Sequence, residues 1–127
     1  MRRNQAPNWD YFKERLEDIS LLKCSVVIVC DGHVLDLAVP VGGKRRGGYI
    51  ALATLRWCHN AVRQLKDKPG FPNLRIRKGS RTVIHNVCWG DPEPDDDSSD
   101  ADFGRYYGYS EQAIGKRLKE IAEWDGE

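Results

Sequence analysis

A chain of 127 residues, 40% hydrophobic and 31% charged with a formal net charge of +1, has the size of one domain: long enough for one hydrophobic core, too short for two. No apolar run approaches the roughly 20 residues that a membrane-spanning helix needs, and the N-terminus turns polar at Asn4, Gln5 and Asn8 without the apolar stretch of a secretory signal. The expectation is a single domain over 1–127 in the cytoplasm, with no membrane partner.

From Asn8, a good helix N-cap, Trp9, Phe12, Leu16 and Ile19 recur at helical spacing and predict a short amphipathic helix over 8–19. Residues 24–30 and 33–39 are β-branched runs flanking Asp31-Gly32, a strong hairpin signal. A two-residue turn would pair 30 with 33, 28 with 35 and 26 with 37. Cys24, Val26, Ile28, Cys30, His33, Leu35, Leu37 and Val39 would then share the core face. A glycine-rich loop, 42–48, leads to a third strand at Tyr49–Leu52. Thr54 caps a second helix, with Leu55, Cys58, Val62 and Leu65 inward until Lys68-Pro69-Gly70 stops it. Leu74 and Ile76, then Thr82 to Trp89, predict a second hairpin.

Residues 91–102 hold acids and prolines with one apolar residue, Ala101, too few to bury anything, and predict a mobile acidic loop. Ser110 caps a last helix with Ile114, Leu118 and Ile121 inward. The order is α-β-β-β-α-β-β-α. It predicts an α+β fold with a mainly antiparallel five-stranded sheet and helices packed on it.

The near-neutral total hides an asymmetry. Residues 41–90 carry eleven Lys or Arg against one acid, Asp67, whereas residues 91–102 carry seven acids and no base. A segment that basic repels itself unless its charges face water or an anion. One reading is a surface for nucleic acid or another polyanion, formed by Lys44, Arg45, Arg46, Arg75, Arg77, Lys78 and Arg81; the other is a solvated face balanced by the acidic loop. Within it, Lys44-Arg45-Arg46 stands between Gly42-Gly43 and Gly47-Gly48, so backbone amides could form an anion nest under three cations, though the string does not match a P-loop. Arg105, Tyr106, Tyr107 and Tyr109 are candidates for stacking on bases, or for docking the last helix onto the sheet.

Cys30-x-x-His33 and His85-x-x-Cys88 have mirrored zinc-like spacing. Residues 85 and 88 of a strand point to opposite faces, however, and the cysteines read better as buried small hydrophobes without disulfides. Cys58-His59 has no orienting acid or oxyanion device. No metal, cofactor or catalytic residue is expected.

The strings Val39-Pro40-Val41-Gly42-Gly43, Arg45-Arg46-Gly47-Gly48-Tyr49, Pro69-Gly70-Phe71-Pro72, Trp89-Gly90 and Gly104-Arg105-Tyr106-Tyr107-Gly108-Tyr109-Ser110 resemble a family of short bacterial and phage proteins of unknown function. The resemblance runs from the first helix to Ile114. It implies a self-contained domain and no particular activity. Three functions compete. The first is a non-catalytic binding module whose basic face takes an anionic partner, most simply nucleic acid. The second is a protein-binding adaptor or inhibitor, of phage derivation, that uses the acidic loop. The third is an enzyme on a phosphorylated small molecule, which would need His33, His59 or His85 as acid or base.

Overall fold

The computed structural model describes residues 8–79 and 84–125. Its elements are α1 (Trp9–Arg15), a 3₁₀ helix (Ile19–Cys24), β1 (Val26–Cys30), β2 (His33–Ala38), β3 (Gly47–Leu52), α2 (Leu55–Leu65), β4 (Arg75–Arg77), β5 (His85–Gly90), α3 (Asp100–Tyr106) and α4 (Glu111–Asp125). The fold is α+β, and all strand pairing is antiparallel. The five strands are divided between two sheets, β1-β2 and β3-β5-β4. Pro40, which has no amide to continue a ladder, and a tight turn at Gly42–Arg45, bonded in both directions, carry the chain out of the hairpin before β3.

The hairpin turns where expected: Asp31 and Gly32 have φ of 54° and 80°, as a two-residue turn with both central residues at positive φ requires. Its register is not the uniform one. Cys30 pairs with His33 and Val29 with Val34, but Ile28 pairs with Asp36, so Leu35 is an extra residue bulged from β2. The slip reverses the facing of the residues beyond it. Ile28, Cys30 and Ala38 join the main core, while Leu37 and Val39 pack with Leu16 and Leu22 on the other side. The single core face expected for the hairpin is therefore two faces on two clusters, and His33 and Cys24 are exposed.

In the three-stranded sheet the row Ile50–Val87–Ile76 packs under Cys58, Ala61 and Leu65 of α2. Alternation sends the next row, Tyr49–Cys88–Arg75, to the opposite face. Trp89 is fully buried in the α2 side, edge-on to Phe71 with ring centroids 5.2 Å apart, and its Nε1 donates to the Val39 carbonyl at 3.0 Å. Thr54 caps α2 by accepting from the Trp57 amide, as expected.

Two helices differ from the periodicity. The first stops at Arg15, because Leu16 turns extended and bridges to Tyr109, leaving Ile19 58% exposed. The last keeps Ile114 buried, but Leu118 is 42% exposed and Ile121 half-buried, so the inward row of α4 is only partly covered beyond its first turn. The segment 91–102 is not free of contacts either. Asp91 and Glu93 pair with arginines of the glycine corner and the sheet, and Asp100 begins α3, capped by Ser99.

Candidate functional site

The glycine-flanked basic loop is a packed corner. Gly43, at φ 53°, makes the turn, and a Cβ on Gly47 or Gly48 would collide with the Tyr106 hydroxyl or with Trp89 and the Arg45 guanidinium. Three of its amides are spent internally: Gly42 donates to the Arg45 carbonyl, Arg45 to that of Gly42 and Arg46 to that of Tyr106. Arg45 is 4% exposed. Its Nη1 donates to the Tyr107 carbonyl at 2.8 Å, its Nε and Nη2 reach the Val39 carbonyl at 3.4 Å, and its guanidinium lies 5.6 Å from the Phe12 ring centroid. Among the described residues no carboxylate pairs with it. Burial pulls its pKa down to about 10. Of the three cations expected to face a phosphate together, one is thus turned inward.

Its neighbours meet acids. Lys44 lies 3.8 Å from Glu17, and Arg46 Nε donates to Asp91 at 3.0 Å. On the sheet face away from α2, Glu93 pairs with Arg75 and lies 3.6 Å from Arg77. Arg75 also donates to the carbonyls of Asn73, Gly90 and Asp91. The start of the acidic segment is thus an internal counterion for the basic one. Lys78 is exposed; Arg81 lies outside the described residues.

A row of cations that includes three open ones lies elsewhere. Arg56, His59, Arg63 and Lys66 follow one another at steps of three, four and three and are all exposed along the solvent side of α2, with Lys68 just beyond it. Arg56 reaches back to Asp31 at 2.7 Å, where Trp57 Nε1 also donates. Arg63, Lys66 and Lys68 form no ion pair with any described residue. This stripe was legible as the complement of Leu55, Cys58, Val62 and Leu65, but counting charge over fifty residues obscured it.

The stacking candidates divide. Arg105 is held by Glu111 at 3.0 Å and lies 3.9 Å from Asp102. Tyr106 is 4% exposed, and its hydroxyl donates to the Asp91 carbonyl. Tyr107 and Tyr109 are half-buried, 5.9 Å apart, with Tyr49 5.7 Å from Tyr107. These three rings, with Tyr11, line a cleft of about 530 Å³ between α1, β3, α3 and α4. The cleft was not legible beforehand, since no local pattern brings α1 beside α4.

Cys30 and His33 are cross-strand neighbours, but Cys88 stands in the other sheet, and His85 Nδ1 accepts the Gly79 amide. No three His, Cys, Asp or Glu side chains among the described residues are grouped to hold a metal ion. Desolvation raises the thiol pKa of Cys30, Cys58 and Cys88. No helix among the described residues is long and apolar enough to cross a membrane.

The glycine corner, the buried Arg45 and the tyrosine string are all parts of one packed unit, and residues 1–124 match a single family. The chain belongs to DUF6302, a family of unknown function. No curated protein and no solved structure matches the chain.

Proposed function

We propose that this DUF6302 protein is a non-catalytic binding module for an anionic partner, most simply nucleic acid, and that the contact lies on the solvent side of α2. One observation carries the reading: Arg63, Lys66 and Lys68 remain exposed and without an ion pair among the described residues, while Arg46, Arg75 and Arg77 have carboxylates of their own chain. A cation already paired gains little by exchanging one anion for another, whereas an open row releases the counterions of a phosphate backbone. The setting is cytoplasmic, where four free thiols stay reduced.

Salt titration of a labelled duplex and a labelled single strand tests this. The slope of log affinity against log salt should approach about −0.9 per phosphate neutralised on a duplex. The triple change Arg63→Ala, Lys66→Ala, Lys68→Ala should remove about 2.7 units of that slope, and Lys44→Ala much less. Absence of binding to either probe at low salt ends the reading. The protein-partner reading, in which the acidic segment is the contact, would then lead, because Asp95, Asp96 and Asp97 are exposed and form no ion pair with any described residue.

A further inference from the structure

We infer that the tyrosine cleft is a binding site for a planar aromatic ring bearing an anionic group, the chemistry of a nucleoside monophosphate. This does not rest on the α2 reading. Tyr49 projects from the sheet face opposite the one α2 covers, so the two surfaces lie on opposite sides of the sheet.

Four observations meet there. Six large apolar side chains are exposed among the described residues, and three of them, Tyr11, Tyr49 and Leu118, line this cleft at 43%, 48% and 42% exposure. Apolar surface left in water costs free energy, and its concentration at one concavity marks a site for a ligand. The volume of about 530 Å³ is in the range of small-molecule sites, roughly 300–1,000 Å³. The lining is aromatic: Tyr49, Tyr107 and Tyr109 stand in a tilted series at 5.7 and 5.9 Å, a cluster against which another ring can pack. Burial raises the phenols of Tyr107 and Tyr109 well above their ordinary pKa, so both stay neutral; that of Tyr109 is hydrogen-bonded to Tyr11, which leaves the Tyr107 hydroxyl as the donor the cleft offers.

Charge selects the ligand. The rim is balanced, with Arg15, Lys116 and Arg117 against Glu14, Asp100 and Glu120. Behind it lies Arg45, a buried cation that no described carboxylate neutralises and that bonds directly to the Tyr107 backbone. In a low-dielectric interior such a charge acts over several ångströms, and it gives the tyrosine wall a positive bias. Tyr11 already has Arg15 over its face, 3.8 Å from the ring centroid. An alkylammonium ligand would therefore meet the field of Arg45 and a Tyr11 face already taken by Arg15. An anionic aromatic ligand meets open rings, rim cations for its phosphate and rim carboxylates for its amino or hydroxyl donors.

The test is calorimetry with the four common nucleoside monophosphates, alongside the nucleosides, inorganic phosphate and choline. At least one monophosphate should bind at least tenfold tighter than its nucleoside and than phosphate alone. Tyr49→Ala, at an exposed position, should weaken that binding at least tenfold with an unchanged circular dichroism spectrum. Arg117→Ala should weaken the monophosphate and leave the nucleoside unaffected. Arg63→Ala with Lys66→Ala should change neither, which separates this site from the α2 stripe. Failure of all four monophosphates to bind at millimolar concentration, equal binding of phosphate alone, preference for choline, or indifference to Tyr49→Ala each overturns the assignment.

Discussion

The buried guanidinium of Arg45 donates to the main-chain carbonyl of Tyr107 at 2.8 Å, joining the turn before β3 to the end of α3 across 62 residues. Burying a charge is costly unless it is hydrogen-bonded and paired, and here carbonyls and aromatic rings stand in place of a carboxylate. Arg45→Ala should destabilise by about 2–4 kcal/mol, since it leaves a cavity and orphans the Tyr107 carbonyl. The Val39 carbonyl keeps its bond from Trp89. Arg45→Met restores volume without the desolvation cost and should be at least about 1 kcal/mol milder than the alanine. Urea melts of the two variants measure the difference; equal losses would show that the charge, not the volume, is what this corner requires.

Glu93 gives a second expectation. Its carboxylate lies between Arg75 and Arg77, with 21% of the side chain exposed against 29% for Arg75. Half-buried pairing of this kind exceeds the worth of a surface bridge. Glu93→Gln should cost about 1–2 kcal/mol in thermal unfolding, whereas Asp95, Asp96 and Asp97, all changed to Asn, should stay within about 0.5 kcal/mol. A neutral Glu93→Gln would show that the acidic segment does not anchor the sheet.

The elements legible in the sequence are the local ones. Asp31-Gly32 needs only its neighbours to turn, and Thr54 with Leu55, Cys58, Val62 and Leu65 defines α2 within a dozen residues. The misreadings are tertiary. Nothing near Leu35 announces a bulge, Leu16 leaves its helix to bridge Tyr109, and Arg45 looked like a surface cation because the carbonyl that holds it is 62 residues away. The same limit applies to the sites. The α2 stripe is encoded in helical spacing, whereas the cleft exists only once α4 lies beside α1.

The thiols offer a test of burial. Cys24 is exposed, and Cys30, Cys58 and Cys88 are buried, with desolvation holding the reactive thiolate out of reach in each of the three. A disulfide reagent at neutral pH should titrate one thiol quickly and all four after unfolding. Rapid modification of two or more in the native protein would mean that the core opens more readily than its packing implies.

Two aspartates in or beside the hairpin should respond to pH with opposite signs. The Asp31 carboxylate is held below the ordinary value of 3.8, chiefly by the Trp57 indole N–H and further by Arg56. The unfolded chain therefore takes up this proton first as pH falls. The stability Asp31 contributes is present above 3.8 and is lost as pH drops through the lower folded value. Asp36 is shifted the other way: desolvation dominates and raises it, with the Leu37 amide and Asn8 only partly offsetting. Its contribution is fully present below 3.8 and is lost as pH rises through the raised folded value. At pH 7 Asp31→Asn should thus lower the melting temperature, the more cleanly because Asn tolerates the positive φ of that turn position. Asp36→Asn should raise it, since an amide oxygen can keep both bonds, which now converge on Oδ1. Melting curves of both variants and the wild type from pH 3 to 8 should converge at the acid end from opposite sides. If the two variants instead run parallel to the wild type, the environments assigned to these carboxylates are wrong.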